Sequence, residues 1–408
     1  MGKSTQVVSN PPVLSGGDLL TEAIRGKLRD LIELLLQSEL DQALQVAPYG
    51  RSPQRAGYRN GTKPRTLSTS LGTVQLDVPR ARMAQDSGQT CEWLSELLPR
   101  YERRTGSLDA SLLTLYFSGV NQRRIRKALQ PLVSEAPVGK NVVSRLVHRL
   151  KDHLEAWKER SLREETYVYV YLDATNLRVR LLGAVRTFPI FVALGVREDG
   201  TKEVLALEGL YKESQNAWKE LLEGLQRRGM NRPLLAVIDG SRGLRGALDL
   251  VWPGIKVQRC LVHKLRNLET YCPREVYREV REDFHEISGA KNLKAARAAY
   301  DRFVRRWGER LPKVAKSLQE AGPELLTFFS FPKEQWKCLR TTNPIERLNE
   351  EFKRRVKTQS SLPSEESVLL IFFGLIASGQ IQFRKIDGWQ TIPEVTQDQS
   401  LAAMKEAS

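Results

Sequence analysis

The sequence predicts a mixed α/β protein, with parallel and antiparallel strands in one sheet, an all-helical insertion, and a mostly helical region ahead of it. Three observations carry this prediction. Tyr167-Val-Tyr-Val-Tyr-Leu-Asp173 alternates β-branched and aromatic residues and ends on a carboxylate. Leu234-Leu-Ala-Val-Ile238 is wholly apolar, as a strand covered on both faces must be, and Asp239 follows it. Around these runs, apolar residues recur at three- and four-residue spacing, the period of helices that pack on a sheet.

With 408 residues, the chain is long enough for two or three domains of roughly 150 residues each. Its 41% of hydrophobic residues can build sizeable cores. The 64 Lys and Arg against 48 Asp and Glu leave a net charge of +16, which favours a polyanionic partner. No stretch approaches the roughly 20 apolar residues of a membrane span, and residues 1–18, with Pro11 and Pro12, lack an apolar signal core. Cys91, Cys260, Cys272 and Cys338 are scattered and form no disulfide framework. The expectation is a cytoplasmic protein from a reducing compartment, with no membrane partner.

In chain order, residues 1–50 form an N-terminal helical segment, its helix over 18–46 marked by Leu20, Ile24, Leu28, Leu31 and Leu35. Residues 51–90 read as a basic arm with short strands. Arg51, Arg55, Arg59, Lys63, Arg65, Arg80 and Arg82 face a single acid, Asp77, and Thr73–Val78 alternates. A solvated basic loop and a phosphate-contacting arm both fit. Residues 91–160 resemble a helix-turn-helix unit: one helix over 108–118, a second from Asn121 carrying Arg123 and Arg124, and a third from about Lys140. On the third, Asn141, Ser144, Arg145, His148 and Arg149 share a face suited to a DNA groove. Small helical bundles that bind no nucleic acid look similar.

The sheet-forming core is assigned to 161–263 and 336–390. Strands are expected at 167–173, 177–182, 190–196, 203–207, 234–238 and 255–257, with helices at 214–228 and 242–250. Residues 264–335 form the all-helical insertion, and 391–408 a flexible C-terminal tail. Trp307 and Trp336 read as core, with base stacking as the other use. A helix starts at Asn343 as N-cap with Pro344 at N1.

Asp173 and Asp239 each close a strand, and Glu346 lies in the first turn of that last helix. Three carboxylates from separate elements can neutralise two hard divalent cations, and Mg²⁺ favours such oxygens. Two ions roughly 3.5–4 Å apart stabilise both the attacking and the leaving oxygen of a phosphoryl displacement. Each acid also has an ordinary reading: Asp239-Gly240 is a turn dipeptide, and Asn343-x-x-Glu346 matches a capping box. Lys353, Arg354 and Arg355, with Lys357, form a basic ridge on the Glu346 helix, suited to a phosphate backbone. Cys260-Leu-Val-His263 lacks the further ligands of a zinc site unless Cys272 and His285 join it.

Several segments together resemble the mutator-type transposases of bacterial insertion sequences. They are Gly57–Gly61, Pro64–Leu67, Leu71–Val74, Tyr116–Val120, Leu172–Ala174, Val179-Arg180, Asp239-Gly240, Gln258–His263 and Thr341–Asn349. The resemblance implies a ribonuclease H-like core with a DDE triad on Asp173, Asp239 and Glu346, holding two Mg²⁺ ions for which Mn²⁺ can substitute. It implies the helical insertion between the second aspartate and the glutamate, and a Cys-x-x-His element on Cys260 and His263 beside the site. Asn176 departs from the family, where an aromatic residue is usual. The implied partners are double-stranded DNA, as terminal inverted repeats and target, and further copies of the chain in a homodimer or larger assembly. The implied reaction is strand cleavage and transfer, which can pass through a circular intermediate, by a cytoplasmic bacterial protein that sits on the nucleoid when bound to DNA.

Overall fold

The computed structural model describes residues 19–85, 89–117, 142–181, 183–356, 362 and 364–397. They fall into two units, Met1–His148 and Arg149–Ser408.

In the first unit, helix α1 (Leu19–Leu44) packs on a three-stranded antiparallel sheet of β1 (Gly57–Thr69), β2 (Gly72–Ala84) and β3 (Thr90–Glu92), followed by α2 (Gly106–Phe117). Leu67, Val74, Leu76 and Val78 close over Leu36 and Leu98. The basic arm is therefore neither a loop nor a set of short strands. It is a hairpin of two 13-residue strands joined at Thr69 and Gly72, with a register shift between Arg59 and Thr62. Its length was hidden because the charged residues take exposed places and β1 becomes apolar only at Leu67. Arg65 is not a free phosphate contact either: its guanidinium donates to the carbonyls of Leu98, at 3.1 Å, and Pro99, at 2.7 Å.

Helix α3 (Val142–Glu159) buries Val142, Leu146, Leu150 and Leu154 along one stripe and exposes Ser144, Arg145, His148 and Arg149. The four-residue period of the first set fixes the face of the second. The expected second helix, with Arg123 and Arg124, and Asn141 lie outside the described residues.

The second unit holds a five-stranded sheet in the order β6-β5-β4-β7-β8. Strands β4 (Tyr167–Leu181), β5 (Ala184–Arg197) and β6 (Lys202–Gly209) are antiparallel neighbours. Strands β7 (Leu235–Ile238) and β8 (Lys256–Arg259) add in parallel to β4. Residues 167–173 and 177–181 are one strand, not two. Pairing with β5 continues through Ala174, Thr175 and Asn176, and the alternation of buried Leu177 and Val179 with exposed Arg178 and Arg180 extends it. Asp173 thus sits inside a strand, one residue past its last parallel pairing, Leu172 with Ile238.

Helices α4 (Gln215–Arg227) and α5 (Arg242–Val251) cover one face, where Val170, Leu172, Ala236 and Ile238 join Trp218, Leu222, Leu244 and Leu248 in a dry core. Ser214 caps α4 by accepting from the Ala217 amide at 3.2 Å. On the other face, the Tyr169 hydroxyl donates to Gln335 Oε1 and the Tyr171 hydroxyl to the Cys338 carbonyl.

The insertion is helical as expected: α6 (Leu261–Thr270), α7 (Tyr277–Ser288), α8 (Leu293–Arg310) and α9 (Pro312–Ala321), with three short 3-10 turns after them. Trp307 is fully buried and donates to Asp283 at 2.8 Å, so it belongs to the core rather than to base stacking. Trp336 packs against Phe328 and Phe329. The chain then runs through α10 (Trp336–Leu339), α11 (Asn343–Val356) and the apolar α12 (Glu365–Ala377). Ile392 and Val395 are still buried, so packing extends past 391, into the expected tail, as far as residue 397. Among the described residues, no helix is long and apolar enough to cross a membrane.

Candidate active site

Strands β4, β7 and β8 run parallel, and one rim forms where their mutual pairing ends: Asp173 follows Leu172 within β4, Asp239 follows β7, and Cys260 follows β8. Ligand sites of α/β sheets gather at this carboxyl edge. The register pairs Tyr171 with Val237 and Leu172 with Ile238, so Asp173 and Asp239 are side by side on adjacent strands. Both point away from the Trp218 core, on the side of Tyr169 and Tyr171.

The loop behind Asp239 is held firmly. Asp239 Oδ1 accepts from the Ser241 amide at 2.8 Å. Arg259, almost fully buried, donates to the Gly240 carbonyl at 2.7 Å and to Glu320 Oε1 at 2.9 Å. Lys264 donates to the second oxygen of Glu320 at 2.9 Å. Gly240 has φ +106°, and a Cβ there would lie 2.3 Å from Arg259 Nη2. Gly240→Ala is therefore expected to destabilise the protein by about 1–3 kcal/mol in a thermal melt. Gly308→Ala, on a helix with nothing within 4 Å of the new Cβ, is the control and should be neutral or stabilising.

Glu346 comes from the first turn of α11, seated beside α6 through Thr342. The Thr342 amide donates to Cys260 Sγ at 3.3 Å, and its hydroxyl donates to Glu346 Oε1 at 2.7 Å and lies 3.3 Å from His263 Nδ1. The helix starts one residue earlier than expected, with Thr342 in the capping place. Glu346 is engaged by the Thr342 hydroxyl instead of closing a capping box onto Asn343.

The electrostatics tie the cluster together. Burial lifts the Asp173 carboxyl, and the charge of Asp239 lifts it further, to about 6, with Glu346 adding to the effect. Burial alone would raise the Cys260 thiol, but hydrogen bonds from His263 and Thr342 outweigh it and hold the thiol below its ordinary range. The same Cys260 contact, helped by Glu346 and Asp239, lifts His263 to about 9. Among the described residues, one trio of metal-ligating side chains closes to within 4.8 Å: Cys260, His263 and Glu346. Asp173, Asp239 and Glu346 do not form such a trio among the described residues. Cys272 bonds to the Pro273 carbonyl, and His285 lies exposed in the last turn of α7, so neither joins Cys260 and His263.

Asn349 is a site residue that the sequence reading passed over. It lies three positions after Glu346, 4% exposed, within the buried stripe of Ile345, Leu348, Phe352 and Val356. Its Nδ2 donates to Asp173 Oδ2 at 2.7 Å, while its Oδ1 is buried without a hydrogen-bond partner. Leaving such an acceptor unpaired costs about 1–3 kcal/mol. An asparagine amid the apolar stripe of a helix was the available signal.

The basic residues further along α11 are divided. Lys353 and Arg354 are exposed, with Arg354 paired to Glu351, whereas Arg355 is partly buried. Lys357 lies outside the described residues.

Residues 10–385 match the family described as "Transposase, Mutator family". The chain is 32% identical over 406 residues to the transposase for insertion sequence element ISRM5 of Rhizobium meliloti, covering 100% of this chain and 99% of that one. It is 34% identical over 352 residues to the transposase for IS905 of Lactococcus lactis, covering 86% and 87%. It is 30% identical over 342 residues to the transposase for IS256 in transposon Tn4001 of Staphylococcus aureus, covering 83% and 85%.

Proposed function

Because this chain belongs to the Mutator family of transposases, we propose that it binds the terminal inverted repeats of its own element and both cleaves and joins DNA strands at one carboxylate site. Asp173, Asp239 and Glu346 are the acids of that site, in a core of ribonuclease H-like type. The observation that carries this reading is the placement of Asp173 and Asp239 on neighbouring parallel strands, facing the same side, with Glu346 delivered to the same rim.

The residues suit divalent cations. A buried aspartate raised to about 6 beside a second aspartate is a surplus of negative charge, and an unpaired carbonyl oxygen lies next to it. When bound, Mg²⁺ (or Mn²⁺ in its place) would supply charge neutralisation at the attacking and leaving oxygens of the phosphate. Asp173 and Asp239 would hold it from the sheet, and Glu346 from α11. The chain itself sets the geometry: the Ser241 amide orients Asp239, Thr342 orients Glu346, and Asn349 orients Asp173. Cleavage and joining each replace one oxygen at a phosphate, so one site serves both, and no Ser or Tyr nucleophile is required.

Exposed Arg145 and Arg149 on α3, with Arg123 and Arg124, are assigned to repeat recognition, and Lys353, Arg354 and Arg355 to the strand beside the acids. Two ends must be paired, so the working unit is a dimer or larger. The domain division follows the sequence assignment, with a helical insertion between Asp239 and Glu346.

The test uses the full chain, Mg²⁺, pre-cut ends bearing a 3′-hydroxyl, and a target duplex. Joined product is expected. Cutting of intact ends without joining would instead identify a structure-specific nuclease. Binding with no metal-dependent nicking would identify a DNA-binding regulator.

A further inference from the structure

We propose that Asn349 is a positioning residue of the cation site: its amide NH₂ fixes the Asp173 carboxylate, and its carbonyl oxygen accepts a hydrogen bond from the hydration shell of the divalent ion that Asp173 helps to hold. This rests on the three-carboxylate reading above.

The orientation of the amide follows from chemistry. An ionised carboxylate only accepts hydrogen bonds, so Asn349 must turn its NH₂ to Asp173 Oδ2, which directs Oδ1 elsewhere. That oxygen is buried and unpaired in a residue 4% exposed. Buried acceptors in folded proteins are nearly always paired, and the exceptions point to water, an ion or a functional role. Mg²⁺ keeps several of its waters when bound by proteins, and each is a donor. Asp173 would then present the cation with a carboxylate whose orientation the amide has set.

The helix makes this arrangement rigid. Ile345, Leu348 and Phe352 are buried on the same stripe, and Phe352 stacks on Phe372 of α12 with ring centroids 3.8 Å apart. Asn349 and Glu346, three residues apart, are neighbours on the helix surface. One rigid helix therefore delivers a carboxylate and sets the rotamer of another that it does not carry. A neutral amide suits the place, since an acid there would add a further negative charge to three.

The experiment reads Mn²⁺ binding to the metal-free full-length protein by electron paramagnetic resonance, together with the Tm gained on adding Mn²⁺. Asn349→Leu is expected to weaken Mn²⁺ binding about ten-fold, the lower end for loss of an outer-shell partner. Half-saturating Mg²⁺ for strand joining should rise in parallel, with the rate largely restored at saturating Mg²⁺. A purely structural role would lower the metal-free Tm and leave the metal dependence unchanged. Should Asn349→Leu fail to fold, the isosteric Asn349→Asp decides. The added repulsion should lower its metal-free Tm and enlarge the gain from Mn²⁺, and an unaltered gain overturns the proposal. Mn²⁺ binding unchanged in Asn349→Leu but weakened in Asp239→Asn overturns this inference alone. Binding unchanged in both overturns the carboxylate reading itself.

Discussion

Asp239→Asn is expected to abolish strand cleavage and strand joining while leaving binding to the terminal repeats intact. The substitution is nearly isosteric, and the amide carbonyl can still accept from the Ser241 N–H, so the loop keeps its shape. What disappears is a negative charge on the rim where three acids gather. The rate should fall on the order of 10³-fold or more, at the top of the roughly 10²–10³ lost with a single preorganised stabilising donor. Two assays on one preparation are needed: gel retardation of a repeat-bearing duplex, and appearance of nicked and joined products in Mg²⁺. Retained binding with lost chemistry is the expected pair. Cleavage at the native rate would remove Asp239 from the site.

Trp218→Ala should be the most damaging single change to the fold of the second unit. Trp218 is fully buried beneath the sheet, edge-on to Phe191 with centroids 4.6 Å apart, and its indole N–H reaches Glu213. Removing it opens a cavity the surrounding helices cannot close, for a loss of about 3–5 kcal/mol. For a unit of this size the Tm should fall on the order of 10 °C. Val170, Leu172, Ala236 and Ile238 rest on the same cluster, and they immediately precede the two aspartates in the chain or lie within the same strands' pairing. Activity measured below the new Tm should therefore fall less than stability does. A melting temperature within a degree or two of the native protein's would show that this face is not the core of the unit.

How far the sequence could be read depended on whether a residue's task was local. The apolar run at 234–238 had to be a doubly covered strand, and the helical spacings before and after it had to be helices. The mixed sheet and the helical insertion follow from these. Strand ends followed less well. Residues 174–176 carry no strong strand signal, and only pairing with Phe191, Ile190 and Pro189 keeps them in β4. The basic hairpin was obscured in the same way, since its strands are held by α1 and by each other.

The candidate acids Asp173, Asp239 and Glu346 stand out in the sequence because two follow apolar strand-like runs and the third opens a helix. Thr342 and Asn349 were not. Their partners, Cys260, His263 and Asp173, lie far away in sequence, so only the folded chain brings them into contact. The resemblance of Thr341–Asn349 to a family motif marked the segment without assigning those side chains a task.

This face of the sheet is held by residues distant in the chain, Tyr169 to Gln335 just ahead of α10 and Asp173 to Asn349 on α11. A ribosome that stalls before residue 340 has already made all five strands, but neither the last acid nor the amide that steadies the first. All five strands of the sheet therefore precede, in the chain, the helix whose amide holds Asp173.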